Sequence, residues 1–184
     1  MSSPPPVRRS DKLMSDDRAR AFLARGHCAR VATVGVDGSP YCTPLLYVWL
    51  DGELLMHNSA APGHFRANID HEPRVCVVVD EPGEVFDYGR FECDVSIAHV
   101  SVVVHGRIRV VEQRAVKQRF CDELMAKYHG RDVGRPKSFY PRLDHITVYA
   151  VTADRVTGKE TALPAQADRW PARDNTKTPN ATAP

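Results

Sequence analysis

Two Asp-Gly pairs, Asp37-Gly38 and Asp51-Gly52, lie between runs rich in β-branched and aromatic residues, and they constrain this chain more than any other feature. Asp-Gly joining two such runs is a strong hairpin signal, because both residue types accept the left-handed backbone of a tight turn. Val31–Val36, the run from Tyr41 to Leu50 and the run Glu53–Met56 therefore read as three strands of an antiparallel meander. Within the apolar stretch Leu45–Leu50, Tyr47 and Trp49 fall on one face and Leu46, Val48 and Leu50 on the other. Both faces are apolar, so this strand should be covered on both sides. A barrel wall suits that pattern better than an open sheet with one wet face.

The flanking segments add helices and more strands. Ser15 reads as an N-cap, with Asp16 and Asp17 in a first turn that favours negative charge, Phe22 and Leu23 on the apolar side, and Gly26 as the stop. After His57-Asn58-Ser59, a polar crossing, Pro62–Asp70 reads as a short helix turning Phe65 and Ile69 inward, with Pro73 beyond it. Val75–Val79 is a fourth strand, residues 81–93 a loop without period, and Val95–Val111 a long strand bent or bulged at His105-Gly106. Val116, Phe120, Leu124 and Tyr128 recur every four residues across Glu112–Tyr128, the clearest helical stripe in the chain. Residues 129–144 connect to a last strand, His145–Val151, extended by Asp154–Glu160. The reading is a mainly β domain over 13–162, a closed or split barrel with peripheral helices. It is framed by a flexible arm (1–12) and a mostly disordered tail (163–184) in which Trp170 stands out.

Composition removes several classes of function. Lys and Arg number 25 against 23 Asp and Glu, too even for a whole-domain nucleic-acid footprint. No apolar run approaches the ~20 residues that span a bilayer, and MSSPPPVRRSDK lacks the apolar core of a secretory signal. The five scattered cysteines include no C-x-x-C pair, which reads as free thiols in a reducing, cytoplasmic compartment without structural zinc.

The candidate site gathers at the end of the central hairpin. His57, Asn58, Ser59 and His64 bring imidazole, amide and hydroxyl groups next to the start of a helix, whose first N–H groups are unpaired and suit an anion. An ordinary polar strand exit with a helix cap accounts for the same residues. His57, His64 and His71 recur every seven residues but lack the carboxylate or cysteine spacing of a metal site. There is no G-x-S-x-G, G-x-G-x-x-G or P-loop. The residues alone describe a small β-barrel with an anion seat.

The order ATVGVDGSPYCTPLLYVWLDGELLMHNSAAPGHFRANIDHEPRVCVVV resembles the pyridoxamine 5'-phosphate oxidase-like, FMN-binding split-barrel superfamily, nearest the branch that includes the 5-nitroimidazole resistance (Nim) proteins. SVVVHGRIRVVE, the segment through CDELMAKYHG and the strand ending VTGKE extend the likeness to about residues 15–160. It implies a six-stranded antiparallel split β-barrel, paired as a homodimer with two flavin sites at the interface and acting on a small molecule. It also implies that Pro44, Leu45, Leu46 and Tyr47 run along the ring of FMN. His57, Asn58, Ser59 and Ala60 would meet the ribityl chain, Gly63, His64 and Arg66 the phosphate, and a turn at Thr157, Gly158 and Lys159 would approach the site. No single side chain reads as an obligate catalyst, and His57 is the first candidate for proton transfer, since histidine titrates near neutrality. Relatives commonly carry a basic residue directly after the histidine matching His64; this chain has Phe65 there, with Arg66 one place later. That departure leaves F420 or haem open as alternative cofactors, and a non-catalytic binding protein as an alternative to a reductase of small electrophiles such as nitroaromatics.

Overall fold

The computed structural model of the protein describes residues 7–130, 142–165 and 168–169. Seven strands and three helices follow one another as α1 (Asp16–Arg25), β1 (Ala29–Val34), β2 (Pro40–Leu45), β3 (Tyr47–Leu50), β4 (Glu53–Ser59), α2 (His64–His71), β5 (Arg74–Asp87), β6 (Val95–Val111), α3 (Arg114–Tyr128) and β7 (Ile146–Thr161). The strands form one sheet in the order β2-β1-β5-β6-β7-β4-β3, and every neighbouring pair is antiparallel.

The expected six-stranded barrel is corrected by this ladder, which is a seven-stranded sheet with two free edges. The cause is a single residue. Leu46 interrupts the run from Tyr41 to Leu50, so its first half pairs with β1 and its second half with β4. The two edge strands of the sheet are thus consecutive in the chain, and the sheet must curl for Leu46 to connect them.

The turns behave as their residues require. Leu50 pairs with Glu53 across Asp51-Gly52, and both turn residues have positive φ, 52° and 84°. This is the geometry that matches the twist of flanking strands. At the other Asp-Gly the turn is longer, with the Gly35 N–H donating to the Ser39 carbonyl at 2.8 Å.

Two boundaries differ from the sequence reading. Residues 81–87 continue β5 rather than forming a loop, because β6 offers a partner along that length. A register shift between Pro82 and Val85 absorbs the Pro-Gly pair. His57-Asn58-Ser59 is strand, paired with Val148, Thr147 and Ile146 of β7. The bend at His105-Gly106 is present as a register shift against β7.

Alternation of side chains gives the sheet two apolar faces. The inner face carries Val31, Tyr47, Leu54, Val77, Val104 and Tyr149, all buried, and α1 and α2 plug it with Phe22, Leu23, Phe65 and Ile69. Ser15 caps α1 by accepting the Arg18 N–H at 3.3 Å, as expected. Gly26, however, is extended at φ −57°, so its role is close approach rather than a left-handed stop. A Cβ there would lie 2.5 Å from Val79 Cγ1 and 2.8 Å from Tyr47 Oη.

The outer face is covered only in part. α3 lays Phe120 on Val48, Leu55, Val148 and Ala150 of β3, β4 and β7. Of the expected α3 stripe only Phe120 is fully buried; Val116 is 36% exposed. Residues 7–12 of the expected arm include a 3-10 turn, Ser10–Lys12, and the Lys12 ammonium donates to Thr161 Oγ1 at 2.8 Å. Residues 1–6, Trp170 and the rest of the tail beyond it lie outside the described residues.

Candidate functional site

The part of the outer face that no described residue covers is built from β2, β1, β5, β6 and the far half of β7. Register places its residues in cross-strand rows. Pro44, Arg30, Val78, Val103 and Thr157 form one row, and Cys42, Ala32, Cys76, His105 and Arg155 the next. Ala32, Cys76, Val78 and Val103 are half-buried, and Cys42, Pro44 and Leu46 are exposed. The result is an apolar floor bordered by cations: Arg155, Lys159 and Arg30, the last ion-paired with Asp80. Burial pushes the Cys76 thiol above its ordinary pKa, so it is a packing group rather than a thiolate.

The residues expected to hold a cofactor do not converge within one chain. Pro44 and Leu46 stand on the outer floor, whereas Leu45 and Tyr47 point into the inner core. Thr157, Gly158 and Lys159 are strand rather than turn, opposite Val103, Val102 and Ser101. Gly158 faces inward, where a Cβ would press on Ala19 and Met14, while Thr157 shares the row of Pro44. Eleven residues of β7 separate Gly158 from Thr147, the partner of Asn58, which is ~36 Å of extended chain. The far end of β7 and the His57–His64 segment of one chain are therefore well apart.

His57 and Asn58 lie on opposite faces of β4. The His57 ring packs edge-on against Phe120 with centroids 5.5 Å apart, and its Nδ1 is buried without a hydrogen-bond partner. Burial lowers its pKa, so it is neutral at physiological pH.

α2 starts at the segment that the spacing singled out for an anion. Its N-cap, Gly63, gives no side-chain cap, and Ser59, Ala60, Gly63 and His64 are all exposed. The His64 ring lies 5.9 Å from that of Tyr41, whose side chain leaves β2 on the face opposite Pro44 and ~10 Å along the strand from it. Asn68 fixes the helix on β1 by donating to Thr33 Oγ1 at 3.0 Å in the core. Arg66 is turned back along the helix, where its Nε donates to both carboxylate oxygens of Asp70 at 2.9 Å.

A cluster that spacing did not single out occupies the break at Leu46. The last turn of α3 meets Tyr47, whose backbone lacks a strand partner on that side. Tyr128 Oη accepts the Tyr47 N–H at 3.2 Å and lies 2.8 Å from the His27 carbonyl and 2.9 Å from the Tyr47 carbonyl. Lys127 Nζ donates to the Tyr47 carbonyl at 3.1 Å and stands 3.8 Å from the centre of the Tyr47 ring. Burial holds its pKa down to about 8, and it has no carboxylate partner among the described residues. Tyr128 was legible only as the end of an apolar stripe; nothing in the helix itself signals that its last turn lands on a strand break.

Among the described residues no group of three His, Cys, Asp or Glu side chains could hold a metal ion, and no helix is long and apolar enough to cross a membrane. Residues 15–160 match the family model described as pyridoxamine 5'-phosphate oxidase. The chain belongs to that family. Among solved structures it is similar to a candidate 5-nitroimidazole antibiotic resistance protein from Bacteroides thetaiotaomicron, at 19% identity over 80% of this chain and 86% of that one, with a TM-score of 0.67. It also resembles the FAD and heme binding protein from Mycobacterium smegmatis, with 22% identity, coverage of 85% and 78%, and a TM-score of 0.70. The flavocytochrome Anf3 from Azotobacter vinelandii matches at 16% identity over 97% of this chain and 92% of that chain, with a TM-score of 0.70. At these identities the likeness concerns the fold of this pyridoxamine 5'-phosphate oxidase family member. No curated protein matches the chain.

Proposed function

We propose that this protein is an FMN-dependent oxidoreductase that works as a homodimer and reduces a small electrophile, such as a nitroaromatic compound. One observation carries the reading: in a chain of this family, the described residues leave an apolar floor open on β2, β1, β5 and β6, and the uncapped start of α2 meets the same strand β2 through His64 and Tyr41. A flat ring suits the floor at Pro44 and Leu46, and a phosphate suits the exposed N–H groups at Gly63 and His64. The bound flavin would supply electron transfer, and the chain would position it and exclude water. A second copy would complete this arrangement in two ways. It would cover Val78 and Val103, and it would bring its own Thr157–Lys159 segment toward a site that one chain leaves incomplete. Arg66, held by Asp70, contributes little to phosphate binding in this arrangement, and the helix N–H groups and His64 do that work. His57 fits packing beneath α3 better than proton transfer.

Titration of the full chain with FMN, followed by flavin fluorescence and light scattering, tests this directly. Stoichiometric quenching by a particle of twice the chain mass, with reoxidation by a nitroaromatic or quinone, is the expected outcome. A colourless monomer that takes up no FMN would end the proposal. Preferential uptake of F420, or a haem Soret band, would redirect it to the alternative cofactors within the same family.

A further inference from the structure

The half-buried ammonium of Lys127 is the feature of the described chain that its own packing explains least. Burying a cation is costly unless a carboxylate or several acceptors compensate. Lys127 has one carbonyl, that of Tyr47, and two aromatic faces, Tyr47 at 3.8 Å and Tyr128 at 5.3 Å. The acid–base groups in direct contact with it are Tyr47, whose hydroxyl donates to the Leu23 carbonyl at 2.5 Å, and Tyr128, itself edge-on to His27 at 5.3 Å. Cys28 and Arg25 lie beside the two tyrosines, and Glu123 stands one turn earlier on α3 with interactions of its own. Neither tyrosine carries negative charge near neutral pH. Burial also raises the pKa of both tyrosines. The cation stands at the break between β2 and β3, one residue from the exposed Leu46 and at the end of the stretch Pro44–Tyr47.

Resting on the flavin reading above, we propose that Lys127 is a cofactor-facing residue: its ammonium, bonded to the carbonyl next to Leu46, would supply positive charge at the end of the floor that Pro44 and Leu46 offer a flavin ring, and so would favour the reduced, anionic form of that ring over the oxidised, neutral one. The geometry is what makes this specific. Tyr128 fixes the Tyr47 peptide from both its N–H and its carbonyl side, and so sets where the strand, and the ammonium bonded to it, can stand. A charge with no carboxylate partner among the described residues, held in partly desolvated surroundings, acts on a nearby developing charge more strongly than one in water. A lysine whose own carboxylate partner was at hand would lack that effect.

Three proteins decide it: the unaltered chain, Lys127→Gln and Lys127→Arg. FMN affinity of the oxidised form and the midpoint potential of the bound flavin are measured for each. The Gln variant should bind oxidised FMN about as well as the unaltered chain and reduced FMN about tenfold more weakly, a drop of about 30 mV for a two-electron couple. The Arg variant should restore most of the difference. An unchanged potential in a Gln variant that still binds FMN overturns the role of Lys127 and leaves the flavin reading intact. Failure of the unaltered chain to bind FMN removes the flavin reading, and this inference falls with it. Should Lys127→Gln not fold, amine labelling of the unaltered chain read by mass spectrometry gives a second measure. Protection of Lys127 by FMN supports the placement, and undiminished labelling at saturating FMN overturns it.

Discussion

The two halves of the sheet's outer face follow the same alternation and carry similar residues, yet the described residues cover only one. Under α3, Val48, Leu55, Val148 and Ala150 are 0–3% exposed and form a second small core around Phe120. On the bare half, Ala32, Cys76, Val78 and Val103 are only half-buried, and Pro44 and Leu46 are open. The boundary falls at the His105-Gly106 irregularity, where β6 and β7 shift register. Apolar residues under a helix are accounted for by folding. A contiguous apolar floor without a cover is costly in water, and such floors usually mark a ligand or partner surface.

The largest test removes the cover. Phe120→Ala should cost ~3–5 kcal/mol, since it deletes the one fully buried side chain of α3. Thermal or denaturant unfolding measures this; a loss under ~1 kcal/mol would mean that the covered half is no true core. Next comes the boundary. A Cβ at Gly106 would collide with the Thr152 carbonyl oxygen, a backbone atom that cannot swing aside. Gly106→Ala should therefore lower stability by ~1–3 kcal/mol and loosen the register between the halves, visible as faster amide exchange in β6 and β7.

A smaller effect concerns His57. Its pKa is depressed in the folded chain, so the unfolded chain binds more protons once the pH falls below the ordinary histidine value near 6.5. This residue's contribution to stability should thus decline as the pH drops through that value. His57→Leu should flatten that part of the pH–stability curve while leaving FMN binding in place. Loss of FMN binding in this variant would return His57 to the site. The smallest effect on folding is expected on the bare half. Val78→Thr with Val103→Thr should change unfolding by ~0.5 kcal/mol or less per site. The same pair should weaken self-association in concentration-dependent light scattering, and unaltered association would place the partner surface elsewhere.

Much of the chain was readable before any coordinates. Asp-Gly between β-rich runs, the Ser15 cap and the four-residue stripe each rest on a local rule, and local rules do not need to know what lies across the molecule. The misreadings have the opposite character. Residues 81–87 look like a loop because Pro82-Gly83 breaks a strand pattern, but a long partner in β6 pays for the irregularity with pairing on either side. His57-Asn58-Ser59 looked like one polar crossing, yet alternation in β4 sends His57 under α3 and Asn58 to the other face.

By itself, then, the sequence determined the two Asp-Gly hairpins, the three helices, the bend in β6 and the family, since turn chemistry, capping and periodicity act over a few residues. The tertiary structure decided which half of an apolar outer face α3 would cover and where the sheet would part, at Leu46. It also set Lys127 against the backbone of Tyr47, eighty residues away in the chain. Contacts of that range depend on how the sheet curls and where a helix comes to rest, and no local pattern of residue types encodes either.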